Sequence, residues 1–327
     1  MKTILFGIVL TLLSLWGPLC TARAQSTAPK DLAYPTKSIR LIVPQAAGGS
    51  NDIIARALAN YLTLRLGKPV VVDNRPGGDG LIGTDIVAHA NPDGYTLLLA
   101  SAAFTMNPAI RKIPYNPLTA FDWVGMIATG PTVLTVGASF HVSSVKEILE
   151  VAKNKPGVYT MASAGGFQHF ASALFRSLSG NDYTILLYKG GFPAMVDVMG
   201  GQAHMTVGSI VQSIPHLRSG KLIGIATGSL KRAATLPHLP TIDESGLTGY
   251  DAANWWAIAT PSGTPTFIIN RLSTQLAQYL ELSDTQNKFI KDGAEASFKS
   301  SDQMRKMIVQ DLTKWAKIAK DSHLQPD

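Results

Sequence analysis

Short runs of aliphatic and β-branched residues alternate along this chain with longer stretches whose apolar positions recur at helical spacing. Ile39-Arg40-Leu41-Ile42-Val43 reads as a strand stopped by Pro44. Residues 52–66 read as a helix, closed by Gly67 where a left-handed residue usually ends one. Residues 70–72 form the next strand, 82–90 a helix ended by Asn91-Pro92-Asp93-Gly94, and 95–100 a third strand. This rhythm predicts parallel strands covered by helices.

Near Trp123 the pattern changes. Two apolar runs, 124–128 and 133–136, are separated by Thr129-Gly130-Pro131 and read as two strands. A second series follows: helices over 145–155, 168–178, 193–199 and 210–218, with strands over 159–162, 183–187, 205–207 and 222–226. Beyond Tyr250 come an apolar stretch at 255–259, a Pro/Gly turn at 261–265, and helices to the end. The last, 302–321, sets Leu312, Trp315 and Ile318 on one face. One α/β series interrupts the other, so a two-lobed α/β fold with crossing hinge strands is expected. The first lobe would comprise residues 34–127 and 251–327, and the second 128–250. Ligands of open α/β sheets sit beyond the carboxyl ends of the strands, and hinge closure between two lobes buries them.

The N-terminus changes where this fold is expected to work. Met1-Lys2 is positively charged, Ile4 to Leu15 is almost unbroken apolar sequence, and Ala22-Arg23-Ala24 offers small residues for cleavage. A signal peptide over residues 1–24, removed after Ala24 in the periplasm, is the expectation. The apolar run is shorter than the ~20 residues of a membrane-spanning helix. Leu19 before Cys20 is bulkier than a lipoprotein signal allows. Cys20 is the only cysteine, so the processed chain would have no thiol nucleophile, thiolate metal ligand or disulfide.

Without Lys2 and Arg23 the chain keeps 27 basic against 22 acidic residues, with no run of three bases. That mild excess suits an anionic ligand and lacks the patches of a nucleic-acid binder. No two histidines stand at a metal-ligand spacing, and neither metal nor cofactor is expected.

Three glycine-rich segments bear on chemistry. In Ala46-Ala47-Gly48-Gly49-Ser50-Asn51-Asp52, between strand and helix, the glycines allow close backbone approach and the helix amides point outward at an anion. An ordinary strand–helix turn would favour the same residues. Ser163-Ala164-Gly165-Gly166-Phe167-Gln168-His169 repeats this logic in the second series. Gly78-Asp79-Gly80-Leu81-Ile82-Gly83 matches a dinucleotide fingerprint, but Asp73 to Gly77 separate it from the strand, so it reads as a turn before a helix. Asp52, Asp79 and Asp85 read as caps or first-turn residues. No Gly-x-Ser-x-Gly elbow occurs, which leaves a secreted hydrolase with only Ser163 and His169.

The order of motifs resembles the Bug-type extracytoplasmic receptors of the tripartite tricarboxylate transporters. The matching segments in the first series are Tyr34-Pro35, residues 39–44, Ala46 to Gly49 with Asp52, Asn74-Arg75-Pro76-Gly77, Ile82-Gly83, Pro92 to Leu98, Asn107-Pro108 and Pro114-Tyr115. Later come Ser163-Ala164-Gly165, Tyr188-Lys189-Gly190-Gly191, Gly200-Gly201-Gln202, Leu236-Pro237, Leu239-Pro240-Thr241 and Pro261-x-Gly263-Thr264-Pro265.

The resemblance implies a type II periplasmic-binding-protein fold with the ligand cleft between its lobes. By position it implies substrate contacts at Ala47, Gly48, Gly49, Ser50, Asp52 and Ser101 on one side. On the other it implies Ser163, Gly165, Gly166 and Phe167, with Tyr188 flanking. Two departures stand out. The second loop is shortened and has Phe167 in place of a hydroxyl, and Gly208 replaces an acid that can pair with a ligand's ammonium. The expectation is a monomeric, non-catalytic receptor that closes on a small organic acid and delivers it to membrane permease subunits. The acid would have no amino group and could have an aromatic or apolar body. The alternatives are the hydrolase and a sensor presenting its ligand to a membrane signalling protein.

Overall fold

The computed structural model describes residues 34–321 and Leu324, so the expected signal peptide, its cleavage after Ala24, and Cys20 lie outside the described residues. The first series forms β1 (Ile39–Val43), α1 (Ser50–Leu66), β2 (Val70–Asn74), α2 (Leu81–Ala88), β3 (Thr96–Ser101) and a short α3 (Ala103–Met106). Within α1, Ile54, Ala55, Leu58, Ala59, Leu62 and Leu66 are buried, so one face packs on the sheet. Fully burying side chains such as Ile54 and Leu58 is worth about 1.5–3 kcal/mol each. Gly67, at φ 68°, closes α1 as its sequence position predicts.

The expected pair of strands after Trp123 is one strand, β4 (Phe121–Gly137). Thr129-Gly130-Pro131 does not break it, because Pro131 falls at a handover. Pro131 is the last residue paired with the later strand β9 (Ala253–Pro261), and Thr132 is the first paired with β7 (Met205–Ser209). The amide that proline lacks is therefore at the seam between two partners.

The second series then provides α4 (Val145–Asn154), β5 (Thr160–Ala164), α5 (Phe167–Ser179), β6 (Thr184–Tyr188), α6 (Gly191–Met199), α7 (Ile210–Arg218) and β8 (Leu222–Thr227). The chain ends with α8 (Thr266–Glu281), α9 (Ser283–Asp292), β10 (Glu295–Ala296) and α10 (Ser301–Asp321). No helix among the described residues is long and apolar enough to cross a membrane.

Strands lie in the order β2-β1-β3-β9-β4-β7-β5-β6, with β8 and β10 also pairing to β4. The expected parallel pairing holds for β1 with β2 and β3, and for β5 with β6 and β7. It fails at β4 and β9, whose ladders are antiparallel. These two strands carry the chain out of the first series and back, so they must run in opposite directions. Apolar clusters cross the seam expected at 127/128: Ile210 and Ile214 of α7 belong to one cluster with residues of α1 and α8, and Phe167 and Phe170 of α5 to another with Trp255 and Trp315.

Candidate functional site

A cleft of about 780 Å³ lies where the carboxyl ends of β1, β2, β3, β5, β6 and β7 meet. Its wall is built almost wholly from the turns that follow those strands, where an α/β sheet leaves backbone amides unspent. Five helices begin at this wall. Their cap residues Gly49, Gly80, Gly166, Gly190 and Ser209 all line the cleft, and none makes a side-chain cap hydrogen bond. Away from the cleft the starts are mixed: Ser144 accepts a hydrogen bond from the Glu147 amide and caps α4, while α8 and α9 also begin without a side-chain cap. A helix start leaves up to four N–H groups without an intrahelical acceptor, one fewer in α6 where Pro193 has no amide, with a partial positive charge of about half a unit. Five such ends at one cleft create an anion-favouring site from neutral groups.

Only two charged residues line the cleft. Lys189 is exposed, and Asp79 is tied to Arg111 at 2.7 Å. Asp79, read from sequence as a cap or first-turn residue, lies in the first turn of a short helix at Gly78–Gly80, and it also lines the cleft. It occupies a left-handed conformation (φ 55°) between Gly78 and Gly80 and presents its carboxylate to the second loop, while its carbonyl accepts from Asn107 Nδ2 at 3.0 Å. The approach is so close that a Cβ on Gly165 would stand 1.8 Å from Asp79 Oδ1. The Gly78–Gly83 segment is a turn before α2, as read, yet its first three residues belong to the cleft wall.

Of the residues singled out by sequence, Ala47, Gly49, Ser50, Ser101, Gly165, Gly166, Phe167 and Tyr188 line the cleft. Gly48, Asp52, Ser163 and Gly208 are not part of its wall. Asp52 instead braces the first loop: Oδ2 accepts from the Gly48 amide at 3.0 Å and from Arg56 Nε at 2.9 Å. Burial pushes its carboxyl up, but hydrogen bonds from Arg56, Gly48 and Asn74 outweigh this and hold it below the usual carboxylate range. Ser163 is fully buried and its Oγ donates to the Ala164 carbonyl at 3.0 Å. His169 is also absent from the cleft wall, so the two residues a hydrolase would need do not meet there.

Phe167 is only 8 % exposed and spends most of its ring in the core; Leu187 and Phe192, 50 % and 54 % exposed, are the open apolar surfaces of the cleft. The Tyr188 hydroxyl donates to Asp197 at 2.7 Å, and its pKa is pushed up to about 12, by burial first and Asp197 second.

Sequence reasoning missed the amide side chains. Asn51 is 6 % exposed and fully engaged: Trp256 Nε1 donates to its Oδ1 at 2.6 Å, and its Nδ2 donates to Ser101 Oγ at 3.2 Å and to Gln45. Asn254 Oδ1 accepts from the Ala102 amide at 3.1 Å. Gln168 Oε1 accepts from the Ala164 amide at 3.1 Å, and its Nε2 stands 2.8 Å from where a Cβ on Gly208 would be. The absent side chain at 208 is thus replaced in space by the carboxamide of Gln168. Among the described residues no group of three His, Cys, Asp or Glu side chains is arranged to hold a metal.

Comparison with known proteins agrees with this geometry. The family model described as "Tripartite tricarboxylate transporter family receptor" matches residues 54–324. Protein BugT of Bordetella pertussis is 33 % identical over 294 residues, 88 % of this chain and 90 % of BugT. Among solved structures, Rpa4515 of Rhodopseudomonas palustris with adipate matches at TM-score 0.87 and 32 % identity, covering 90 % of this chain and 100 % of that one. MatC of the same organism, with bound malate, matches at TM-score 0.81 and 25 % identity, over 87 % of this chain and 99 % of MatC. The two-lobed receptor fold expected from sequence is therefore the fold of this chain.

Proposed function

This chain belongs to the tripartite tricarboxylate transporter receptor family, and we propose that its cleft captures a small organic acid for delivery to membrane permease subunits. The observation that carries the ligand class is the convergence of five helix N-termini on a cleft whose one acid, Asp79, is already paired with Arg111. A carboxylate meets amide donors and positive dipole ends there, and neither repels it. An ammonium would meet donors and no uncommitted carboxylate among the lining residues, and a desolvated, unpaired charge costs several kcal/mol. The ligand is accordingly an acid without an amino group, and Leu187 and Phe192 offer apolar cover to its carbon chain.

Residues 34–127 and 251–327 act as one lobe and 128–250 as the other, turning about β4 and β9. Closure shuts water out and strengthens each amide contact. The protein acts as a monomer in the periplasm, after removal of residues 1–24, and carries out no chemistry on its ligand. The placement of Ser163 and His169 away from the cleft supports a receptor over a hydrolase.

Isothermal calorimetry against adipate, malate, succinate, aspartate, glutamate and adipamide tests this reading. Binding of at least one amino-free acid, with none of the amino acids or the uncharged diamide, is expected. Tight binding of aspartate or glutamate alone would overturn the ligand class, and so would a preference for the diamide.

A further inference from the structure

The wall of the cleft contains two buried polar atoms without a hydrogen-bond partner, and both belong to the first turn of α7. Ser209, 5 % exposed, is the cap residue of that helix, yet its Oγ makes no cap bond and no other hydrogen bond. Gln212, three residues on, has its Nε2 buried and equally unpartnered. Native proteins rarely leave such groups unsatisfied, because each forfeits a bond that water or a ligand would supply. Gln168 joins them. A Cβ on Gly191 would lie 2.6 Å from Gln212 Oε1 and 3.2 Å from Gln168 Oε1, so the two carboxamides crowd one point beside the start of α6.

We propose that Ser209, Gln212 and Gln168 form a second subsite, which recognises an oxygen acceptor on the far end of the acid and sets specificity. The inference rests on the receptor reading above and adds to it. The shared carboxylate goes to the amides at the starts of α1 and α5. The far group, a second carboxylate or a hydroxyl, accepts from Ser209 Oγ and Gln212 Nε2 at the start of α7. Gln168 holds the wall in place, because its carboxamide is fixed by the Ala164 amide at one end and fills the space over Gly208 at the other. A hydroxyl and two neutral amides accept either partner without a charge of their own, while the dipole of α7 favours an anionic or oxygen-rich group over a cation.

The test uses probes of matched length: hexanoate, 6-hydroxyhexanoate, adipate and 6-aminohexanoate, with butanoate, succinate and 4-aminobutanoate as a shorter series. Calorimetry on the purified protein should show adipate, 6-hydroxyhexanoate or succinate binding at least tenfold more tightly than the plain acid of equal length. The amino acids of each series should bind weakest. Ser209→Ala and Gln212→Leu should each erase most of that tenfold preference, weakening the difunctional acids several-fold more than the plain acids. Ser209→Ala removes a single oxygen, so it retains the test if Gln212→Leu fails to fold. Equal binding of plain and difunctional acids by the unaltered protein would overturn the subsite, as would variants that weaken every probe by the same factor. In either case the receptor reading survives. If no acid of either series binds, and malate does not bind either, the receptor reading fails and takes the subsite with it.

Discussion

At the scale of single residues, the contact between Asp79 and Gly165 decides how closely the first and second loops meet. Asp79 cannot swing aside freely, since its carboxylate is paired with Arg111 and its carbonyl is held by Asn107. Gly165 has no left-handed requirement of its own, so Gly165→Ala is a test of that approach and not of backbone strain. The methyl group would have to displace Asp79, and overpacking of this kind costs about 1–3 kcal/mol. Thermal melting should show Gly165→Ala destabilising the natural protein by that order and costing almost nothing in an Asp79→Gly background. An equal cost in both backgrounds would mean that the two residues are not coupled. The sequence marked Gly165 through its resemblance to a family loop, but it read Asp79 as a cap or first-turn residue. Nothing local announces a pair drawn from distant turns, and the only hint was an acidic residue between two glycines.

Among elements, the helix starts were legible and their convergence was not. The sequence predicted α7 to the residue and α1 to within two, because apolar spacing and terminal glycines act locally. It read two helix ends as anion sites; Tyr188 and Gly208, before α6 and α7, were placed at the ligand only through the family resemblance, and it is the sheet order that sets β6 and β7 on the same side as β5. It also split β4 at Gly130-Pro131, since a proline's missing amide reads as a break unless its partner strands are known. If the start of α1 holds the ligand, a side-chain cap placed there competes with it. Gly49→Asp tests this. Gly49 has an extended backbone (φ −78°, ψ 171°) that any residue adopts, and a Cβ there would meet nothing closer than 3.5 Å. An aspartate cap is worth a few tenths of a kcal/mol over glycine, so the melting temperature should hold or rise slightly. The new carboxylate would occupy the place of the ligand's own, and calorimetry should show affinity for the best-binding acid falling more than tenfold. Retained affinity would remove the start of α1 from the site.

Over the whole molecule, β4 and β9 connect the halves, and α10 ties them from behind. Trp315 of α10 meets Phe170 of α5 with ring centroids 5.7 Å apart. Four residues earlier, Asp311 Oδ2 accepts from Trp255 Nε1 of β9 at 2.9 Å and from Thr105 Oγ1 of α3 at 3.3 Å. Burial raises the pKa of Asp311, more than these hydrogen bonds and Lys314 lower it. A carboxyl with a raised folded-state pKa keeps its proton in the fold after the unfolded chain has lost it. Its contribution is fully present below the unfolded pKa of about 3.9 and is lost as pH rises through the folded value. Asp52 and Asp73, both lowered by arginine partners that outweigh their burial, act in the opposite sense and lose their contribution as pH falls. A comparison of the natural protein with Asp311→Asn cancels those two groups, and the asparagine oxygen can still accept from Trp255 and Thr105. The variant's melting temperature should match the natural protein's near about pH 4 and exceed it by a growing margin as pH rises and the buried Asp311 gives up its proton. A difference that stayed flat as pH rises would mean the carboxylate is solvated or paired well enough to ionise at no cost.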